Sequence, residues 1–171
     1  MTSGTTRQKD NPARGGAPRR NNSRQILDAA EKVFSVHGLS GTRVDDIAKA
    51  CNLPKANILY YFSTKEKLYR ATLERLLADW LADADIWLSP DRDPREGLYE
   101  YIRSKMTFSR RRPAASRLFM HELLAGGQQI RAFLKTTLRN HVHDRVAVFD
   151  RWREQGLMTD IDPTHFLFML W

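Results

Sequence analysis

The tetrapeptide Pro54-Lys55-Ala56-Asn57 sets three recognition chemistries side by side. A lysine ammonium donates to guanine acceptors, an asparagine amide pairs with an adenine edge, and an alanine methyl meets a thymine methyl or lets backbones approach closely. The stretch ILYYFSTKEKLY follows directly and places Tyr60 and Tyr61 ahead of Ser63, Thr64 and Lys65. Phenolic hydroxyls, a lysine and the N–H groups of a helix start all hold phosphate oxygens. Tyr61 and Lys65 are the first candidates, Tyr60 is a third, and Thr42 and Arg43 could grip the same backbone. Phe62 reads as an apolar plug. The same residues also fit plainer roles, with Lys55 and Asn57 as exposed polar positions and the tyrosines as half-buried packing.

Such residues work only if short helices aim them. Ile26, Ala29, Ala30, Val33 and Phe34 follow helical spacing from a cap at Asn22 or Ser23, and Gly38 supplies the stop. Thr42 can cap a short second helix that buries Val44, Ile47 and Ala48, with Asp45 and Asp46 near its positive N-terminal end. Asn52 tolerates the left-handed backbone of a tight turn, and Pro54 suits the first turn of a third helix. Two short helices joined by about three residues form a helix-turn-helix. Ser63 and Glu66 read as a capping box for a fourth, long helix, with Tyr69, Leu73, Leu76, Leu77, Trp80, Leu81 and Ala84 on one stripe.

The charge is distributed to match. Of the formal net charge of +8, residues 1–70 carry +7 and residues 71–171 only +1. A positive field of that kind attracts nucleic acid or an anionic membrane surface, or simply serves solubility. Residues 1–22, rich in Gly, Pro, Asn, Thr and Arg, read as a flexible basic arm, either a plain tail or one that tracks a groove. The lone Cys51 excludes an internal disulfide, and no apolar run reaches the roughly 18 residues of a membrane span. A soluble cytoplasmic protein is expected.

Beyond the SPDRDP break at residues 89–94, helices are expected over 95–110, 113–125 and 130–155, punctuated by Pro113, Gly126-Gly127 and Gly156. No alternating β-type run stands out. The fold class is therefore all-α: an N-terminal three-helix domain over residues 23–70, linked by the long helix to a helical domain over 71–171. The last segment, DPTHFLFMLW, opens as a helix and stops on apolar residues without a stop signal, so the second domain is expected to be C-terminally incomplete.

The block TRVDDIAKACNLPKANILYYFSTKEKLY resembles the DNA-binding domain of the TetR family of bacterial transcription regulators, whose usual pattern reads T-x-x-x-I-A-x-x-A-G-V-S-x-x-x-L-Y-Y-H-F-x-S-K-E-x-L. Asn52 stands where the family usually has Gly, Pro54 where it has Ser, and Leu59 where it has a phosphate-touching Tyr. The last departure shifts weight to Tyr60 and Tyr61. Segments YIRSKMTFSRRRPAASRLFMHELLAGG and IDPTHFLFMLW are similar to the branch that includes the pyrimidine-utilisation regulator. The resemblance implies a double-stranded DNA operator as partner, a homodimer for the complete protein, and a small-molecule effector bound in the second domain, with uracil or thymine as candidates.

A pocket between bundle helices should be apolar with a few convergent polar groups. Trp80, Phe119, Met120 and Trp171 could supply flat apolar walls, and Arg117, His121 and Glu122 polar anchors. Lys105, Arg110, Arg111, Arg112 and Arg117 read as a solvated face. His141 and His143, two apart, turn to different sides of a helix and do not make a metal site. His121-Glu122 lacks the H-E-x-x-H partner, and no phosphate loop or nucleophile motif occurs. No cofactor and no enzymatic activity are expected. The leading expectation is a ligand-responsive regulator that acts as a repressor; the alternative is a basic protein that coats DNA without sequence choice.

Overall fold

The computed structural model describes residues 16–170, with side chains from residue 19 onward. Helix α1 (Gly16–Gly41) begins earlier than the sequence signals suggest, so residues 16–22 of the expected arm are helical. Asn22 and Ser23 therefore lie inside α1 and cap nothing. Pro18 sits in the first turn, where a missing N–H costs no hydrogen bond, and nothing between it and Ile26 stops propagation. The rest of the arm lies outside the described residues. Gly38, at φ 63°, breaks the helix where expected.

Helix α2 (Val44–Cys51) and α3 (Lys55–Phe62) form the helix-turn-helix. Asn52 takes the left-handed conformation (φ 52°, ψ 43°) that closes the turn. The cap of α2 is Arg43, whose N–H donates to the Asp46 carboxylate at 3.2 Å; the Thr42 hydroxyl instead donates back to the Gly38 carbonyl at 2.7 Å. One turn later the cap is again displaced by a residue. Ser63, at φ 59°, ends α3, so the Thr64 hydroxyl takes over and accepts from the Lys67 N–H at the start of α4 (Lys65–Trp87).

Helix α4 is the spine. Its Tyr69, Leu73, Leu76, Leu77, Leu81 and Ala84 are buried, as the stripe requires, and Tyr69 meets Phe34 of α1 edge to face at 4.8 Å. Helices α5 (Pro94–Arg111) and α6 (Pro113–Leu124) pack back onto it. The next helical run comprises α7 (Arg131–Phe133), a π turn (Leu134–Leu138) and α8 (Arg139–Glu154); α9 (Pro163–Met169) follows, capped by Asp162. No strand occurs among the described residues.

Two cores result. The first joins α1–α4 to Ala115 and Leu118 of α6, so the helix-turn-helix head and the second domain share apolar packing without a gap. The second gathers Leu88, Tyr101, Phe149, Trp152 and Leu167 around the far end of α4. There the last carbonyls of α4 are not left orphaned: Arg145 of α8 donates to those of Ala84 and Leu88 at 3.1 and 2.7 Å. At the same place Gly97 of α5 runs so close to α4 that a Cβ would lie 2.6 Å from the Trp87 carbonyl oxygen.

Candidate nucleic-acid interface and effector cavity

The start of α3 is open to solvent. Lys55 and Ala56 are exposed and Asn57 is half-buried, while the next residue, Ile58, is fully inside the core. Helical geometry therefore turns the three base-reading candidates outward by anchoring their neighbour inward. Lys55 is not idle: its ammonium pairs with Asp45 of α2 at 2.8 Å, and that contact holds the Asp45 carboxyl below the usual carboxylate range. Base contact by Lys55 has to replace this exposed pair.

The candidate phosphate-binding groups divide. Tyr60 is 71% exposed, stands edge to face with Tyr61 at 5.4 Å, and has the Arg19 guanidinium 5.9 Å over its ring. Arg19 thus brings a second cation to the same rim, from a part of α1 assigned to the arm by sequence alone. Tyr61 is half-buried and Phe62 packs against the first core, the plug role expected of it. Arg43 is exposed. Lys65 donates to the Thr42 carbonyl at 3.0 Å, tying α4 to the start of α2, and its ammonium keeps two further donors. Thr42 itself is only 2% exposed and its hydroxyl is spent on Gly38, so its side chain is not presented to a phosphate. The N–H at the start of α4 is already engaged by the Glu66 carboxylate, which it holds below the usual range.

A cavity of about 420 Å³ opens between α4, α5, α6 and the π turn. Trp80, Phe119 and Met120 line it, as expected, with the Trp80 and Phe119 rings 5.9 Å apart; Leu77, Phe108, Leu134, Leu138 and Phe168 are among the other apolar residues of its wall. Its lining hydroxyls are Ser109 and Ser116. The expected polar anchors do not converge there. Arg117 is exposed; His121 and Glu122 face a separate groove beside Gly38 and Lys65, because they follow Met120 around α6. Glu122 is structural: it is buried, accepts from the Gln129 N–H at 2.7 Å, and faces Tyr69, whose phenol is pushed up by burial and by that carboxylate. Trp171 lies outside the described residues.

The charge run at residues 105–117 is not one solvated face. Arg110, Arg111 and Arg117 are exposed, but Arg112, in the corner between α5 and α6, reaches buried Glu31 of α1 with two nitrogens and Asp79 of α4 at 2.7 Å. Arg75 adds Asp28 at 2.8 Å. Lys105 is only 8% exposed. Its spacing from Tyr101 and Phe108 on the inward stripe was the available signal, masked by the arginines that follow. His141 is buried and His143 exposed, as their two-residue spacing dictates.

Comparison with known proteins places the fold from residue 26 onward. Residues 26–72 match the family described as bacterial regulatory proteins, tetR family, and residues 73–171 match the YcdC-like protein, C-terminal region. The transcriptional regulator RutR of Escherichia coli O157:H7 is 40% identical over 152 residues, covering 85% of this chain and 68% of RutR. Among solved structures, AibR in complex with isovaleryl coenzyme A and operator DNA aligns with a TM-score of 0.69 at 25% identity, over 86% of this chain and 80% of AibR. A regulator from Marinobacter aquaeolei VT8 aligns with a TM-score of 0.67 at 25% identity, over 81% and 73%. With its helix-turn-helix head joined through α4 and α6 to a cavity-bearing helical domain, this chain belongs to the TetR family of bacterial transcription regulators.

Proposed function

We propose that the chain works as a repressor that reads a palindromic operator through Lys55, Ala56 and Asn57, is held by Arg43, Tyr60, Tyr61 and Lys65 on the phosphates, and releases the operator when a pyrimidine such as uracil or thymine occupies the cavity. The observation that carries this reading is a shared wall. Helix α6 gives Ser116, Phe119 and Met120 to the cavity and buries Ala115 and Leu118 in the core that contains α1 and the helix-turn-helix. An occupant that favours one placement of α6 therefore favours one placement of the head. Two heads about 34 Å apart in a homodimer meet successive major grooves. The role is non-enzymatic and is carried out in the cytoplasm on chromosomal DNA. The flat rings of Trp80 and Phe119 suit a planar heterocycle, and the 40% identity to RutR, the pyrimidine-utilisation regulator, supports that class.

The test is operator selection in vitro followed by binding titrations with and without uracil or thymine. The expected result is roughly 10³-fold preference for the selected site over scrambled DNA at equal salt, lost on adding the pyrimidine. Equal affinity for both DNAs with a steep salt slope would establish sequence-independent coating instead.

A further inference from the structure

The helices that wall the cavity continue past its lining on the same faces, and there the buried side chains turn polar. On α5, Lys105 precedes Phe108 by three positions and Ser109 by four; on α8, His141 follows Leu138 by three. Trp80 belongs to both regions. It lines the cavity, its carbonyl accepts from the Lys105 ammonium, and its ring lies 4.6 Å from that nitrogen; the Tyr101 ring lies at 5.0 Å. Asp83 of α4 is the nearby acid, and the Ser104 hydroxyl donates to it at 2.6 Å. Among the described residues no carboxylate comes within ion-pair distance of Lys105.

A buried ammonium without a paired carboxylate is costly, and a methionine of similar length would fill the same space without that cost. Burial pulls the Lys105 pKa down to about 8 against the opposing pull of Asp83. Two aromatic faces stabilise the cation but accept no strong hydrogen bond. The ammonium has three donors and the Trp80 carbonyl takes one. What the arrangement lacks is an acceptor from the cavity side.

We propose that Lys105 is the polar anchor of the effector site, donating to a carbonyl or carboxylate oxygen of a planar ring compound that lies against Trp80, with His141 on the same polar floor. This rests on the reading of the cavity as the effector site and names the chemistry that selects its occupant: a flat body with an oxygen acceptor at one end. A pyrimidine carbonyl and an aromatic carboxylate both meet that description.

Calorimetric titration of this chain and of Lys105→Met with uracil, thymine, benzoate and indole separates the possibilities. Indole carries no oxygen acceptor, so its binding reports only that the apolar cavity is intact. The expected result is that an oxygen-bearing probe binds the native chain and loses tenfold or more in Lys105→Met, while indole changes by less than twofold. Lys105→Gln, which keeps N–H donors without charge, should fall between. Benzoate bound through Lys105 with uracil and thymine ignored would remove the pyrimidine reading and keep the anchor. Undiminished binding of the oxygen-bearing probe by Lys105→Met, or binding of indole alone, overturns the anchor.

Discussion

Lys55 illustrates how a proposed base-reading residue is held in the absence of DNA. Its partner Asp45 is exposed, so the pair adds little to stability, but Asp45 also faces any DNA that Lys55 approaches. Asp45→Asn is expected to tighten binding to any duplex by about two- to fivefold at low salt, the modest factor an exposed ion pair allows. Lys55→Ala and Asn57→Ala should each cost ~1–3 kcal/mol at the selected operator and relax discrimination at one base pair. Electrophoretic mobility titrations with single-base operator variants measure both effects. Lys105 makes the opposite kind of prediction, visible without DNA. Its folded pKa is depressed to about 8, so between that pH and its unfolded value the unfolded chain binds more protons. Stability contributed through this group must therefore rise as pH climbs from 8 towards 10.5, by a few kcal/mol at most. Urea denaturation across that range should show the rise in the native chain and a flatter profile in Lys105→Met, which removes the titrating group while Asp83, Asp85, His141 and Arg145 remain.

At the scale of elements, α6 is fastened at both ends. Arg112 ties its start to Glu31, and Glu122 ties its end to Gln129 and Tyr69. Removing one partner of a fully buried pair costs ~3–5 kcal/mol; Arg112 keeps some solvent contact, so Arg112→Ala should cost about 2 kcal/mol and weaken the response of DNA binding to effector. Chemical denaturation and operator titrations with and without uracil check the two parts separately. The long helices were legible because Ile26 to Phe34 and Tyr69 to Ala84 repeat one apolar spacing, and Asn52 and Gly38 carried their turns openly. The caps were not, since Ser63 and Thr64 have equivalent hydroxyls and the φ of Ser63 decides between them, while the Thr42 hydroxyl turns back to the Gly38 carbonyl. Arg112 looks solvated in the sequence because its acid lies 81 positions away on α1, a distance that no local pattern encodes.

For the whole molecule, the sequence located the reading head but only half of the cavity. Trp80, Phe119 and Met120 are legible as large apolar side chains suited to a pocket wall, whereas Leu134 enters through a π turn whose offset no simple periodicity anticipates. In the sequence the polar anchors read as His121 and Glu122, which cluster on α6; chain folding buries Lys105 of α5 and His141 of α8 instead one helical turn beyond the lining residues Phe108 and Leu138. Gly97 supplies the mechanical counterpart. With no room for a side chain against the Trp87 carbonyl, α4 and α5 are pinned at that crossing, and Gly97→Ala should destabilise the fold by ~1–3 kcal/mol in a denaturation curve. A pinned crossing is a fulcrum. At 1.5 Å per residue, Leu77 lies about 15 Å from it along α4 and Lys65 about 33 Å. Spreading the helices at the cavity would therefore swing the α4 end beside the helix-turn-helix about twice as far, so a displacement set by a small heterocycle would reach the DNA-facing end enlarged.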